Sequence, residues 1–195
     1  MAREFEVKYR SSPQAMARLE ADFGPFGTVA METAYYDAPG RPLSARRWTL
    51  RRRLENGRSV CALKTPGQGL LRGEWETECE DILQAVPRLL ALGAPEALRA
   101  LTAGGLAQTC AARFTRQVCL VRFGESEIEL ALDRGALLGG GKEETLCEVE
   151  AELKRGTQAD TLAFGAMLAA RYGLVPEARS KLARALALAE AGQEP

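Results

Sequence analysis

Charged and apolar residues alternate from the start of the chain, in the run Glu4-Phe5-Glu6-Val7-Lys8. Side chains of a strand point to alternate faces, so Glu4, Glu6 and Lys8 share one face and Phe5 and Val7 the other. The same alternation recurs. Leu50-Arg51-Arg52-Arg53 sets Arg51 and Arg53 on one side, and the strand from Ser59 ends in Lys64. Arg72, Glu74, Glu76 and Glu78 keep one register, Glu127, Glu129 and Asp133 another, and Glu148, Glu150 and Glu152 a third. The pattern predicts strands over about 3–10, 28–37, the hairpin 47–65, 73–80, 108–122, 125–133 and 144–154. Asn56-Gly57 suits the hairpin turn because both positions need positive φ.

Helices are predicted between these strands. Ser12 is a candidate N-cap with Pro13 in the first turn of a helix reaching about Phe23. Asp81 to Gly93 reads as a helix interrupted near Pro87, Pro95 to about Thr102 as a short one, Thr157 as the cap of a helix to about Tyr172, and Ala178 to Ala191 as the last. Gly139-Gly140-Gly141 lacks a phosphate-loop pattern and reads as a flexible connector. Eight strands with short links make an α+β chain whose strands are mainly antiparallel, since parallel neighbours need long crossovers.

One polar face on one strand usually means solvent. Six or more strands with acids and bases segregated by segment point instead to a closed barrel of about eight strands, polar inside and packed by flanking helices outside. Hard carboxylate oxygens suit divalent cations, and arginine and lysine suit polyphosphates. Burying so many charges without a ligand would be costly.

Composition narrows the choice. The 195 residues suggest a single domain, 1–195, with 46% hydrophobic residues for its core. Lys plus Arg and Asp plus Glu both number 26, so no basic excess points to nucleic acid, although Arg46, Arg47 and Arg51 to Arg53 form a local basic run. No stretch approaches the roughly 20 apolar residues of a membrane helix, and the first residues carry no apolar signal region, so a cytoplasmic protein is expected. The five cysteines lack CxxC spacing and read as reduced core residues. Histidine is absent, which excludes Ser-His-Asp and Cys-His catalysis and histidine-ligated zinc.

With these residues in view, the chain resembles the CYTH superfamily, the triphosphate tunnel metalloenzymes. The match runs through ExExK at Glu4, Glu6 and Lys8, Tyr35-Tyr36-Asp37, Leu50-Arg51-Arg52-Arg53, Leu63-Lys64, Arg72-Gly73-Glu74, Phe114-Thr115-Arg116, Leu132-Asp133-Arg134-Gly135, Glu148, Glu150 and Glu152, and Ser180-Lys181. The stretches Ile128 to Asp133 and Cys147 to Glu150 look most like the bacterial inorganic triphosphatase branch, which often carries a further C-terminal CHAD domain. One departure is that Ala185-Leu186 follows Arg184 where the family often reads Gly-Tyr, so the segment after Lys181 is open to being helical.

The resemblance implies hydrolysis of inorganic triphosphate to pyrophosphate and phosphate inside a charged tunnel, with Mg²⁺ or Mn²⁺. It implies Glu4, Glu6, Glu150 and Glu152 as metal ligands, with Glu74, Asp133 and Glu148 as further candidates, and Glu4, Glu6, Lys8 and Glu150 as the catalytic set. Lys8, Arg51, Arg53, Lys64, Arg116 and Lys181 would hold phosphates. Arg113 joins them only if a bulge turns it to the same side as Arg116, since a spacing of three sends the two to opposite faces. Arg52 and Trp48 should face outward and Thr49 inward, which argues mildly against stacking on a thiamine ring. For Tyr36, packing is the expected role. Alternatives are thiamine or other organic triphosphates, cyclisation of ATP as in class IV adenylate cyclases, and a polyphosphate-binding module without turnover. The expected partner is the small-molecule triphosphate alone, with no nucleic acid and no membrane, and a homodimer left open.

Overall fold

The computed structural model describes residues 2–191, with side chains from Glu4 onward. In chain order the elements are β1 (Ala2–Arg10), α1 (Pro13–Phe23), β2 (Gly27–Asp37), α2 (Pro42–Ala45), β3 (Thr49–Glu55), β4 (Arg58–Pro66) and β5 (Leu71–Glu78). Then follow α3 (Ile82–Ala91), α4 (Ala97–Thr102), β6 (Ala107–Phe123), β7 (Ser126–Gly139), β8 (Lys142–Arg155), α5 (Gln158–Tyr172), β9 (Val175–Pro176) and α6 (Lys181–Glu190). The sheet runs β5-β4-β3-β2-β6-β7-β8-β1-β9, and β5 pairs again with β1, which closes β1 to β8 into a barrel. Every pairing is antiparallel. The expected α+β barrel of eight strands with helices outside is what the chain forms.

Its apolar outer side packs onto helices in two clusters, and a third cluster seats α6 on the inward face at one end of the barrel. Met16 and Leu19 of α1 and Phe164 and Leu168 of α5 cover Leu130, Leu132 and Val149 of β7 and β8. Ile82, Ala85 and Leu89 of α3 and Leu98 of α4 cover Leu50, Leu63 and Trp75 of β3 to β5. Leu182 and Ala185 of α6 cover Ala112, Leu137 and Leu146. Burying the first two clusters turns the charged face to the interior, so the period-two pattern sets both the helix packing and the tunnel lining.

Several expectations change in detail. The three glycines are no flexible connector. β7 and β8 run on to Gly139 and Lys142, and Gly140 and Gly141, at φ of 57° and 74°, make a tight two-residue turn. A Cβ on Gly139 would lie 2.1 Å from the Ala185 carbonyl oxygen, so the glycines also let α6 pack directly on the hairpin. α3 continues through Pro87, which takes a place near its exposed side rather than interrupting it. α6 starts at Lys181, not Ala178. Residues 175–176 are held extended against Tyr9 and Arg10, and the Ser180 hydroxyl caps the helix by accepting from the Ala183 amide at 3.1 Å. The short α2 was not anticipated. Asp37 organises it by accepting from the Leu43 and Ser44 amides at 3.0 and 2.8 Å.

Candidate functional site

The inward face of each strand brings its charged residues to one tunnel. Near α6 the wall is formed by Glu4, Glu6 and Lys8 of β1, Thr33 and Tyr35 of β2, Thr49, Arg51 and Arg53 of β3, Lys64 of β4, Arg72 of β5, Phe114 and Arg116 of β6 and Glu150 of β8. Ser180, Lys181 and Leu182 at the start of α6 complete it. At the far end Val29 and Met31 of β2, Glu55, Glu74 and Glu76 of β3 and β5, Val118 of β6, Glu129 of β7, and Glu152 and Lys154 of β8 take over. Glu4, Arg51, Arg53, Lys64 and Arg116 border both halves, so they form the waist. The α6 half encloses about 70 Å³ and the far half about 350 Å³.

Two clusters of carboxylates lie in or directly behind this wall, and they differ in their counterions. The first is Asp133, Glu148 and Glu150, whose oxygens come within 4.8 Å of one another, close enough to share a cation. The cation they share here is the Lys181 ammonium. It lies 2.6 Å from Glu150 and 2.9 Å from Asp133 and also contacts Glu148. Arg116 grips Asp133 with two hydrogen bonds of 2.8 and 2.7 Å and donates a third to Glu150 at 2.5 Å. Arg184, itself buried, reaches Glu148 at 3.1 Å. Burial alone would push Glu150 up, but Lys181, Arg116 and Lys8 overcome it and hold the carboxyl well below its ordinary value. Burial likewise works against the charged Lys181, and Asp133, Glu150 and Glu148 more than reverse it, so the ammonium is held well above its ordinary value.

The second cluster centres on Glu6 and extends to Glu4, Glu150 and Glu152. Glu6 stands opposite Glu152 and next to the pair formed by Lys8 and Glu150 in the β1–β8 ladder. Glu4 is claimed by Lys64, which donates to both its oxygens at 2.7 Å. Among the described residues, Glu6 pairs only with Arg72, at 3.5 Å. Burial, and then the charges of Glu150 and Glu4, push the Glu6 carboxyl up to about 7. Burial also raises Glu152, against the pull of Lys154 at 2.9 Å. Glu6 is thus the carboxylate here with the most distant counterion and with like charges beside it, the electrostatic condition that a hard divalent ion relieves.

The basic residues are crowded in the complementary way. Arg51 touches Glu74 at 3.5 Å and Glu76 at 3.8 Å, and Arg53 touches Glu76 at 3.7 Å and also meets Glu55. The Nε atoms of both are buried with no hydrogen-bond partner. Burial, and then the neighbouring charge of Arg51, push Arg53 down from its ordinary value. Lys8 makes no ion pair among the described residues and donates only to the Arg179 carbonyl at 3.1 Å. Such donors want an anion with many acceptor oxygens.

Of the residues singled out from the sequence, Glu4, Glu6, Lys8, Arg51, Arg53, Lys64, Glu74, Arg116, Glu150, Glu152 and Lys181 all border the tunnel. Asp133 and Glu148 lie fully buried behind its wall, bound to Lys181. Arg113 is not brought in. It sits exposed on the outer face of β6, because the pairing of β6 with β2 is regular from Gly27 to Tyr35 and shifts only beyond it. Tyr36 packs in the α3 cluster as expected, and Trp48 joins it. Arg52 faces outward and donates to the Glu80 carbonyl at 3.2 Å. Among the lining residues not singled out from the sequence, two aromatic ones matter most. Tyr35 is buried at the wall, and the Phe114 ring carries both Lys181 and Arg116 at 5.4 and 5.9 Å from its centroid. Strand parity from Arg116 would have found Phe114. The inner face of β2 bears no charge and gave no such signal.

Beside the α6 mouth lies an open depression of about 560 Å³ lined by Trp48, Leu70, Leu186, Arg47, Arg72 and Arg179 among others. Among the described residues no helix is long and apolar enough to cross a membrane.

Comparison with known proteins places this geometry. The chain is 29% identical over 171 residues to the inorganic triphosphatase of Haemophilus influenzae, covering 84% of this chain and 49% of that protein. It thus spans about half the length of that curated relative. The PH1819 protein of Pyrococcus horikoshii OT3 has the same fold, with a TM-score of 0.67, 21% identity, and coverage of 95% of this chain and 99% of that one. HpAC1 from Hippeastrum, studied as an adenylyl cyclase and found to have a dominant triphosphatase activity, matches with a TM-score of 0.61 and 19% identity over 100% of this chain and 98% of its own. The CYTH domain family matches residues 2–186, nearly the whole length, and the chain belongs to that family.

Proposed function

We propose that the chain is a metal-dependent triphosphatase and that its substrate is inorganic triphosphate, split into pyrophosphate and phosphate. The observation that carries this is the pairing of two opposite deficits in one tunnel. Arg51, Arg53 and Lys8 have donor capacity that the protein leaves unused, while Glu6 faces like charges. A triphosphate with a divalent cation resolves both at once. The relation to an inorganic triphosphatase points the same way.

CYTH enzymes are metal-dependent, and the donor set here fits a hard ion such as Mg²⁺ or Mn²⁺, with Glu4, Glu6, Glu150 and Glu152 as the residues to hold it. Bound there, such an ion would neutralise phosphate charge and lower the pKa of a coordinated water. The chain's own part is positioning and electrostatics. Arg51, Arg53 and Lys8 bind phosphate oxygens, with Lys64 and Arg116 turning part of their donor capacity toward them. The closed wall keeps bulk water from screening these contacts. Glu6 and Glu4 bring negative charge to the metal's place, and Lys181 keeps Glu150 ionised and aimed. Asp133 and Glu148 serve α6, since their charge is already balanced within the protein.

Phosphate release is measured from inorganic triphosphate, ATP and thiamine triphosphate in parallel, with Mg²⁺, Mn²⁺ or EDTA. Fast, metal-dependent turnover of inorganic triphosphate is expected, abolished by Glu6→Ala. The depression holding Trp48 favours a second reading, an organic triphosphate whose ring rests outside the mouth. Preferential turnover of ATP or thiamine triphosphate would establish it. Tight triphosphate binding without phosphate, or cyclic nucleotide and pyrophosphate, would defeat the hydrolase reading.

A further inference from the structure

The two halves of the tunnel differ in sign. The wall of the α6 half carries seven basic residues and three carboxylates, whereas the far half carries five basic residues and six carboxylates. The far half is also the larger, about 350 Å³ against about 70 Å³, so size does not keep a phosphate chain out of it. Its β2–β6 side is apolar, with Val29, Met31 and Val118, and offers a phosphate oxygen no donor. On the strands beside them, directly beyond the waist arginines, stand Glu55, the ladder neighbour of Met31, and Glu76. Both contact Arg53, and Glu76 also lies 3.8 Å from Arg51. They are half-exposed, at 29% and 42% of their side chains, so they project into the tunnel and are not sealed in the wall.

A phosphate chain that advances past Arg53 therefore meets Glu55 and Glu76 first, then hydrocarbon and further carboxylates, and the cation there, Lys154, is already paired with Glu129 and Glu152. At the α6 mouth it finds the reverse, with Lys8, Arg72 and Lys181 in the wall and Arg47 and Arg179 in the depression outside. Like charges set against each other at close range exclude a ligand more sharply than weak attraction does.

We propose that the tunnel admits phosphate chains through the α6 mouth only, and that Glu55 and Glu76 are specificity-determining residues that stop the chain end at the waist. The inference rests on the triphosphatase reading and deepens it. The site reads a free terminus, so a linear polyphosphate longer than three units binds by its end, with the excess trailing out over the mouth. Cleavage then falls at a fixed distance from the terminus. Each event consumes one water: a bridging P–O bond breaks, a P–OH forms on the attacked phosphorus, and the second proton passes to the leaving phosphate oxygen or to solvent.

The test is partial digestion of a long linear polyphosphate by the whole chain with Mg²⁺, with products resolved by electrophoresis and triphosphate turnover run alongside. The parent should yield one short product size and a gradually shortened chain, with no mid-length fragments. Glu55→Gln combined with Glu76→Gln should still turn over triphosphate but release a spread of lengths, because the end now slides past the waist. Mid-length fragments from the parent would overturn the stop while leaving triphosphatase activity in place, and that arm needs no variant to fold. Triphosphate turnover with long chains left untouched would overturn it too, as would a folded double variant whose product pattern matches the parent's. No turnover of triphosphate at all would defeat the triphosphatase reading, and the stop with it.

Discussion

Two clusters of carboxylates lie in or directly behind the wall of this tunnel, and their counterions distinguish them. Asp133, Glu148 and Glu150 enclose the Lys181 ammonium and are braced by Arg116 and Arg184. Glu6, between Glu4 and Glu150 and opposite Glu152, has one arginine at 3.5 Å and a pKa of about 7. Proximity of carboxylates alone would nominate the first cluster for a metal. The balance of charge nominates the second. A buried acidic group whose charge is already matched is part of the fold, and one left short of cations is open to a ligand. Glu150 belongs to both, which ties the seating of α6 to the chemistry of the tunnel.

The largest expected effect falls on the Glu6 side. Glu6→Ala should lower triphosphate turnover by at least ~100-fold, the scale of losing a key electrostatic group. It should also abolish divalent-ion binding measured by calorimetry, while the circular dichroism spectrum is retained. If metal binding survives in this variant, the assignment to Glu6 fails.

Lys181→Met attacks the other cluster. It strips the shared ammonium from three carboxylates that are buried at 0%, 0% and 8% exposure. Breaking such a buried arrangement by removing one partner costs about 3–5 kcal/mol, which urea denaturation should record. Should the variant keep its stability and gain stabilisation by Mg²⁺ at this site, the comparison would be reversed.

The pH dependence of the metal-free protein sharpens the contrast further. The folded pKa of Glu6, about 7, lies above its ordinary value of 4.5, so the folded state holds that proton longer than the unfolded state does. Its contribution is therefore neutral below pH 4.5, becomes a penalty as pH rises, and is complete above about 7. A shift of this size corresponds to on the order of 3 kcal/mol. Glu6→Gln should then be more stable than the parent at pH 8 and indistinguishable from it near pH 4, in thermal melts with EDTA. An equal or lower melting temperature for the variant at pH 8 would show that Glu6 is not strained by like charge.

Much of this was legible in sequence because period-two charge alternation carries two facts at once. The apolar partners Phe5, Leu50, Leu63, Val149 and Ala151 had to be buried under helices, so Glu4, Arg51, Lys64 and Glu150 had to line the inside. What alternation could not supply is pairing across the tunnel. Nothing near Lys181 in sequence says that its ammonium enters Asp133, Glu148 and Glu150, since that depends on how α6 docks on the Gly139–Gly141 hairpin. The same limit hid Tyr35, whose inward neighbours on β2 are uncharged, and the contacts of Glu148 with Lys181 and Arg184.

Arg113 gives the smallest expected effect, and its smallness is informative. It lies three residues from the motif arginine Arg116, and a bulge between them would have turned it inward. The strand is regular there. Arg113 pairs with Glu32 and Ala136 in an unbroken register, and the shift in pairing lies past Cys110. Its guanidinium is in water, where a substitution away from caps, cavities and ion-pair networks changes stability by no more than about 0.5 kcal/mol. Arg113→Ala should leave the triphosphate KM, the turnover rate and the melting temperature unchanged, whereas Arg116→Ala, which removes the two-bonded partner of buried Asp133, should damage all three. A marked rise in KM for Arg113→Ala would mean that β6 carries substrate contacts on its outer face, and the division of this sheet into a charged inside and a packed outside would fail at that strand.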